Sequence, residues 1–255
     1  MVLHRFSRNE LLIGTEGLSR LKASSVAVIG LGGVGSYALE ALCRSGIRKF
    51  TIVDFDDICL TNINRQIHAL SSTVGQPKVN AMAARLNDIN PDIDIKVFRE
   101  FYSSESSDLM LSEHYDYVLD AIDHFTSKIH LIKSCLERNL PIISSMGAAM
   151  KIDPTLVRVD DISRTKCCRM ARSVRRLLKK EGIETGVTVV YSTEEFRKPQ
   201  AKEAGCGVSC ICPNRSDQRF SCEHRRVVLG SMMTVPAIFG MTMAGVVIQR
   251  LLSDS

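Results

Sequence analysis

A glycine-rich turn between a predicted strand and a predicted helix carries the clearest chemistry in this sequence. The apolar run Val26–Ile29 precedes the turn, and an amphipathic helical pattern follows it. The turn contains Gly30, Gly32, Gly33 and Gly35. Such a turn at a helix N-terminus binds phosphate, because the backbone approaches closely and its N–H groups and the helix dipole favour negative charge. Asp54 closes the next strand, where an acidic residue meets a ribose hydroxyl. This pattern predicts a site for NAD, FAD or ATP.

Charged residues after the turn favour a triphosphate over a dinucleotide. Arg65 and Asn62 lie in a polar loop after Asp54, and Lys78 follows that loop. A dehydrogenase needs little positive charge beyond its glycine turn, whereas two cations can neutralise the β- and γ-phosphates of ATP. Asp123, at a later strand end, offers a hard oxygen ligand for Mg²⁺. The alternative is that Arg65 and Lys78 are solvated surface charges and Asp123 is a helix N-cap.

Alternating strand and helix patterns would bring these residues to one edge of a sheet. Helical patterns cover residues 4–22 in pieces, 77–90, 126–138 and 165–181, and strand patterns cover 26–29, 50–54, 93–98, 115–121, 141–144, 157–160 and 187–191. We expect an α/β fold with a doubly wound, mainly parallel, Rossmann-like sheet that binds ligands at its strand C-termini. We expect one domain over residues 1–255, in which 1–150 form the ATP-binding core. Residues 151–255 form a substrate-binding extension that adds strands and helices to that sheet.

Net charge, the N-terminal sequence and the cysteine count bear on the partners and cellular location of the protein. The formal net charge of +5 is too small to name a partner by itself. No basic stretch followed by an apolar core begins the chain, so we expect no secretory signal and a cytoplasmic location. The nine cysteines are then expected to be thiols or metal ligands. The uncharged segment 230–249 barely reaches membrane-spanning length and contains Pro236, so we expect a buried helix and no membrane partner.

Six ordered motifs in the first 150 residues resemble those of the ubiquitin-activating-enzyme-like adenylating proteins. They are Arg5-Phe-Ser-Arg8, Gly30-Leu-Gly-Gly-Val-Gly35, Asp54-Phe-Asp56, Asn62-Ile-Asn-Arg-Gln66, Gly75-Gln-Pro-Lys78 and Asp120-Ala-Ile-Asp123. The resemblance implies that a carboxylate attacks the α-phosphate of ATP, giving an acyl-adenylate and pyrophosphate. It assigns nucleotide binding to the glycine turn and Asp56 and ribose binding to Asp54. It also assigns phosphate contacts to Asn62, Arg65 and Lys78, and Mg²⁺ to Asp123.

The same resemblance has implications for assembly and ions. The family equivalent of Arg8 reaches the phosphates of the neighbouring subunit, which implies a homodimer. Members of the family also bind a monovalent cation, Na⁺ or K⁺, whose ligands this sequence does not identify.

Motifs in the second half resemble one branch of that family, the tRNA threonylcarbamoyladenosine dehydratases. They are Asp161-Ile-Ser-Arg-Thr165, Val190-Tyr-Ser192 before Pro199, and Gly230-Ser-Met-Met-Thr-Val-Pro-Ala237 followed by Gly240. This resemblance implies that the substrate is a tRNA carrying threonylcarbamoyladenosine. The enzyme would activate its threonyl carboxylate and cyclise it with loss of water. A sulfur-relay protein is a further candidate partner, and DNA is not expected to bind.

A basic helix agrees with a tRNA substrate. Between residues 164 and 180 the chain has eight cations and no acid: Arg164, Lys166, Arg169, Arg172, Arg175, Arg176, Lys179 and Lys180. Helical spacing places several of them opposite an apolar stripe of Met170, Val174, Leu177 and Leu178. Such a face suits the phosphate backbone of a nucleic acid. An ordinary solvated face is the alternative.

The cysteines of the second half leave a metal question open. Cys206, Cys210, Cys212 and Cys222 could hold Zn²⁺ through four thiolates, with His224 nearby. Their spacing departs from paired Cys-x-x-Cys motifs, so free thiols in a loop are the alternative. Cys43 and Cys135 fall on apolar helix faces and are expected in the core.

Three other functions remain open from the sequence. The first is adenylation of the C-terminal glycine of a ubiquitin-like sulfur-carrier protein, which needs the same first half. The second is an NAD-dependent oxidoreductase, against which the loop cations argue. The third is a tRNA-binding protein with a vestigial nucleotide site.

Overall fold

A computed structural model describes residues 3–199 and 229–253 of the chain. Its strands are β1 (Ser25–Ile29), β2 (Lys49–Val53), β3 (Asp94–Phe98), β4 (Tyr117–Asp120), β5 (Ile142–Ser145), β6 (Val157–Asp161) and β7 (Thr188–Ser192). Its helices are α1 (Ser7–Ala23), α2 (Gly35–Arg44), α3 (Lys78–Ile89), α4 (Ser104–Met110), α5 (Phe125–Glu137), α6 (Arg169–Lys180) and α7 (Thr234–Ser253).

The seven described strands form one sheet in the order β3-β2-β1-β4-β5-β7-β6. Every neighbouring pair is parallel except β6 and β7, which are antiparallel. The predicted α/β class and mainly parallel sheet are therefore confirmed, as is the addition of strands from the second half. The strand order reverses between β1 and β4, and such a switch point is where open α/β sheets bind ligands.

Helices cover both faces of the sheet, which explains why its central strands β1, β4 and β5 are almost entirely buried. On one face, α2, α3 and α7 pack with residues such as Leu39, Met82 and Phe239. On the other face, α5 and α6 pack with residues such as Leu131 and Val174. The prediction that Cys43 and Cys135 lie in the core is confirmed, and burial raises the pKa of each thiol to about 12.

Helix α7 packs closely on α2. A Cβ atom at Gly240 would lie 2.3 Å from the Val34 carbonyl oxygen, so only glycine permits this approach of the two helices. Among the described helices, α7 is long and apolar enough to cross a membrane, and 44% of its most apolar window is buried inside the protein. Packing against α2, α1 and the sheet accounts for its apolar sequence.

Some element boundaries differ from those predicted. Helix α4 was not predicted, although Ser103 and Ser106 form a reciprocal capping box at its start. Helix α6 begins at Arg169, four residues later than predicted, because Cys167 has a left-handed φ of +60° and Cys168 is the N-cap. Helix α1 is broken at Gly14, whose φ of +75° is left-handed, consistent with helical pieces rather than one rod.

Candidate active site

A cavity of about 940 Å³ opens at the C-terminal edge of the central strands. The lining residues between positions 29 and 127 are called the N-terminal wall here, and those between 145 and 236 the C-terminal wall. The N-terminal wall includes Gly30, Gly32, Gly33, Asp54, Asp56, Asn62, Arg65, Lys78 and Asp123. The fold thus brings nine of the predicted site residues to one cavity.

The glycine turn has the shape that a phosphate cradle requires. Gly30 adopts a φ of +96°, and a Cβ there would lie 2.8 Å from the Ala121 carbonyl oxygen. Gly35 begins α2, where a Cβ would clash with the Gly30 carbonyl oxygen at 1.8 Å. A Cβ at Gly32 would meet no described atom within 4 Å, so that side of the turn is open. Among the described residues, no side chain caps the N-terminus of α2, which leaves its N–H groups to an anionic ligand.

Asp54 is a rigidly held carboxylate at the end of β2. Its Oδ2 accepts a hydrogen bond from the Leu31 N–H at 2.7 Å, and its Oδ1 accepts one from the Asp56 N–H at 2.9 Å. Burial raises the pKa of Asp54, while the Lys78 ammonium, 3.7 Å from Oδ1, opposes that rise. The carboxylate is thus fixed beside the glycine turn, where it can accept hydrogen bonds from a ribose.

Lys78 is not a solvated surface charge. Its side chain is buried at the start of α3, and its Nζ lies 2.6 Å from the Asp56 Oδ2. The Lys78 backbone N–H also donates to the Asp56 carbonyl oxygen at 3.1 Å. This network holds the ammonium at the cavity, where phosphate oxygens could share it with Asp56.

The polar loop contributes three further side chains to the N-terminal wall. Asn62 is buried, and its Oδ1 accepts a hydrogen bond from the Cys59 N–H at 2.9 Å. Half-buried Arg65 donates to the Thr61 carbonyl oxygen at 2.9 Å. Buried Gln66, which was not among the predicted site residues, lines the cavity and has an Oε1 without a partner in the described part of the chain. An unsatisfied buried amide beside a cavity fits a polar ligand.

Asp123 is exposed to the cavity and does not cap α5. The N-cap residue is His124, whose Nδ1 accepts a hydrogen bond from the Ser127 N–H at 3.4 Å. The described residues contain no group of three or more His, Cys, Asp or Glu side chains that could hold a metal. A single carboxylate still fits Mg²⁺, because that ion is usually held by one or two carboxylates together with substrate phosphates and water.

The C-terminal wall carries two cations that sequence reasoning did not assign to the site. Buried Lys151 donates to the carbonyl oxygens of Ser192 and Glu194. The Arg169 guanidinium, at the first residue of α6, stacks over the Phe196 ring at 4.1 Å. Lys151 follows an irregular loop, and its partners lie more than forty residues further along, so no local pattern marks it.

A buried ion pair supports the edge of the sheet beneath the cavity. The Nζ of Lys128 lies 2.6 Å from the Asp120 Oδ2, and the Ser144 hydroxyl donates to the same oxygen at 2.6 Å. Lys128 also donates to the Ser145 carbonyl oxygen at 2.9 Å. These bonds tie α5 to the ends of β4 and β5, from which Asp123 and the C-terminal wall continue.

Two groups of predicted site residues are not at the cavity in the described chain. Arg8 is exposed on α1 and lies outside the residues that line the cavity. Cys206, Cys210, Cys212 and Cys222 lie outside the described residues, so the Zn²⁺ hypothesis stays a prediction. The described residues include five cysteines that form no disulfide with one another: Cys43, Cys59, Cys135, Cys167 and Cys168.

Comparison with known proteins decides the family. Residues 6–255 match the ThiF family. The chain belongs to this family. It is 46% identical to the tRNA threonylcarbamoyladenosine dehydratase of Bacillus subtilis strain 168, over 99% of this chain and 96% of that protein. The enzyme of the same name from Escherichia coli K12 is 34% identical over 98% of this chain and 94% of that protein. The crystal structure of the E. coli enzyme in complex with ATP superposes with a TM-score of 0.83, at 32% identity and over 98% and 94% of the two chains.

A second branch of ThiF-family relatives matches less of the chain. The E. coli molybdopterin-synthase adenylyltransferase is 34% identical over 151 residues, which are 58% of this chain and 59% of that protein. The dehydratase relatives match nearly the whole chain, and hence both walls of the cavity.

In this ThiF-family chain, helix α6 leads away from the cavity with a basic face. Ala171, Val174 and Leu178 are buried, so the predicted amphipathic helix is confirmed. The exposed cations without an acidic partner among the described residues are Arg164, Lys166, Arg169, Arg172, Arg176 and Lys180. Two predicted members are engaged instead: Arg175 donates to the Thr165 hydroxyl at 2.7 Å, and Lys179 pairs with Glu184 at 3.2 Å.

Proposed function

We propose that this chain catalyses the ATP-dependent dehydration of threonylcarbamoyladenosine in tRNA through adenylation of the threonyl carboxylate. The observation that carries the proposal is the match to tRNA threonylcarbamoyladenosine dehydratases over 99% of the chain, which includes both walls of the cavity. The site geometry supports it, because the N-terminal wall fits a nucleoside triphosphate.

In the first step, the N-terminal wall holds ATP. The N–H groups at the start of α2 and the cations of Arg65 and Lys78 bind the phosphates, and the Asp54 carboxylate accepts hydrogen bonds from the ribose. Mg²⁺ bound through Asp123 would add charge neutralisation at the phosphates. A threonyl carboxylate oxygen attacks the α-phosphorus, the bond from that phosphorus to the bridging oxygen breaks, and pyrophosphate leaves. Catalysis therefore rests on positioning and electrostatics rather than on a protein nucleophile.

In the second step, the acyl-adenylate closes on itself. The ureido group of the same modified adenosine attacks the acyl carbonyl carbon, AMP leaves with the bonding electrons of the mixed anhydride, and one N–H proton is lost. The nucleoside has then lost one water in total, and ATP has become AMP and pyrophosphate. Because the nucleophile belongs to the substrate, this step does not require a catalytic cysteine.

The basic face of α6 supports contact with the tRNA backbone. Its exposed cations repel one another without acidic neighbours, and phosphates relieve that repulsion. Arg169 lines the cavity and Arg172 and Arg176 follow it along the helix, so a tRNA bound on this face would run towards the site.

We further propose a homodimer in which Arg8 reaches the partner's phosphates. Leu11 and Leu12, one turn from Arg8 on α1, are 75% and 85% exposed, an unusual exposure for neighbouring leucines that a subunit interface would cover. Mixing the inactive variants Arg8→Ala and Lys78→Ala should partly restore turnover, because one site of each mixed dimer keeps both residues. No restoration after subunit exchange would show that Arg8 does not act across the dimer. Binding of Na⁺ or K⁺ and of a sulfur-relay protein also stay proposals.

The proposed function is tested by what stimulates ATP cleavage. AMP and pyrophosphate should form with Mg²⁺, ATP and tRNA carrying threonylcarbamoyladenosine, and should not form with the same tRNA lacking the modification. ATP–pyrophosphate exchange driven by a sulfur-carrier protein ending in Gly-Gly, and not by modified tRNA, would instead support the alternative activity.

A further inference from the structure

Three lysines are buried in the described chain, and one of them differs from the other two. Lys78, Lys128 and Lys151 are only 5%, 0% and 5% exposed. Lys78 and Lys128 each lie 2.6 Å from a carboxylate oxygen, of Asp56 and Asp120 respectively. Lys151 has no carboxylate within ion-pair distance in the part of the chain that the structure describes. A buried cation without a counter-ion is costly, so its retention calls for an anion supplied by a ligand.

The hydrogen bonds of Lys151 leave it able to bind such an anion. An ammonium group has three N–H donors, and the carbonyl oxygens of Ser192 and Glu194 accept two. The nearby Glu194 carboxylate is already engaged by the Ile152 and Asp153 N–H groups, each at 2.9 Å, and by Arg197 at 2.8 Å. Burial lowers the pKa of Lys151, as expected for a charge that the protein itself compensates poorly. One donor therefore remains for a molecule in the cavity that Lys151 lines.

The backbone before Lys151 is held in a strained conformation. Met150 has a φ of +59°, which is uncommon for a residue with a side chain. Its N–H donates to the Gly230 carbonyl oxygen at 2.8 Å, and its carbonyl oxygen accepts from the Arg197 N–H at 3.1 Å. Strain of this kind persists where the surroundings impose it, and it concentrates at ligand sites. The hydrogen bonds at Met150 thus fix where Lys151 enters the wall.

The surrounding charges identify which anion suits Lys151. No acidic residue is among the described lining residues of the C-terminal wall, and its other cation, Arg169, is stacked on Phe196. Phosphates already have a cradle on the N-terminal wall. A single buried ammonium on the C-terminal wall suits a small anion such as a carboxylate.

We propose that Lys151 binds the carboxylate of the threonylcarbamoyl group and holds one oxygen while the other attacks the α-phosphorus of ATP. This rests on the proposed function and names the residue that selects modified over unmodified tRNA. Lys151 touches the substrate, gives up no proton and forms no covalent bond. Its charge balances the carboxylate before attack.

Binding measurements without ATP test the proposal. The wild-type chain should bind threonylcarbamoyl-modified tRNA more tightly than the same tRNA lacking the modification. Lys151→Met should remove roughly ten- to hundredfold of that preference, because a hydrogen bond to a charged group is lost. Its affinities for unmodified tRNA and for ATP should be unchanged. Lys151→Gln, which keeps a donor for the carbonyl oxygens but no charge, should show the same loss. Lys49→Met, which removes an exposed lysine at the start of β2, should bind all three ligands like the wild type.

The other outcomes are distinguishable. A preference for modified tRNA that persists in both Lys151 variants overturns the proposal, as does its absence in the wild type. Loss of affinity for ATP or unmodified tRNA in the variants would show that Lys151 binds phosphate, which also overturns it. Failure of the proposed function looks different, because the wild-type chain would then form no AMP with modified tRNA.

Discussion

The two walls of the cavity handle positive charge in opposite ways. On the N-terminal wall, Lys78 is neutralised by Asp56 and Asp54 before any ligand arrives. On the C-terminal wall, Lys151 rests on carbonyl oxygens alone. The ion pairs of the N-terminal wall therefore stabilise the protein without ligand. The Lys151 ammonium of the C-terminal wall gains an anionic partner only when a ligand binds. This difference suggests that the N-terminal wall binds the nucleotide and that the C-terminal wall recognises the substrate carboxylate.

We expect the largest loss of unfolding free energy from a substitution of Lys128, which forms a buried ion pair with Asp120. The other lysine variants can be compared with it. Lys128→Met leaves the fully buried Asp120 without its cation. Such a loss costs about 3–5 kcal/mol of unfolding free energy, measurable by urea denaturation. Lys133→Met on the same helix breaks only an exposed pair with Glu181 and should change little. Equal stability of the two variants would contradict the buried ion pair between Lys128 and Asp120.

Lys78→Met should be nearly as damaging, and to activity as well as to stability. Removing one preorganised charge from the phosphate site is expected to lower turnover by about 10²–10³-fold. Steady-state AMP release with saturating modified tRNA measures this, with Lys49→Met as the control for loss of an exposed lysine. Turnover within a few-fold of wild type would mean that Lys78 does not contact phosphate.

In the same urea experiment, Lys151→Met should not lower the unfolding free energy, in contrast to Lys128→Met. Because it removes a buried charge that lacks a counter-ion, the unfolding free energy should stay constant or rise by about 1 kcal/mol. A loss comparable to that of Lys128→Met would show that Lys151 is a structural cation, and the contrast between the two walls would fail.

The smallest effect is expected on the basic face of α6. Arg176→Ala should weaken modified and unmodified tRNA equally, and should lower the slope of log affinity against log salt by about 0.7–0.9. Titrations at several salt concentrations measure that slope. A change confined to modified tRNA would place Arg176 at the reacting group instead of the backbone.

The N-terminal wall could be predicted from the sequence because its chemistry is local. The Gly30–Gly35 turn, Asp54 and Lys78 occur in short motifs whose spacing fixes both the fold element and its ligand. The parallel sheet could be predicted for the same reason, because each strand and helix has its own local pattern of apolar residues. Helix α4 was missed, although the serines of its capping box were a usable signal.

The buried lysines could be predicted only in part. Lys128 falls in register with Leu131, Ile132 and Cys135 on the buried face of α5, so a cation inside an apolar stripe was visible. Its partner Asp120 ends a buried strand, which was also readable. Lys151 offered no such signal, because its hydrogen-bond partners are backbone carbonyl oxygens at residues 192 and 194, more than forty residues further along the chain. A buried charge can therefore be recognised from the sequence when it lies within a helical or strand pattern. It cannot be recognised when its partners are backbone groups far away in the sequence.

Mass spectrometry of nucleosides shows whether this chain dehydrates threonylcarbamoyladenosine in tRNA. Modified tRNA is incubated with the protein, ATP and Mg²⁺, then digested to nucleosides. We expect threonylcarbamoyladenosine to lose the mass of one water as AMP forms. Unchanged threonylcarbamoyladenosine, alongside an active control dehydratase under the same conditions, would contradict it.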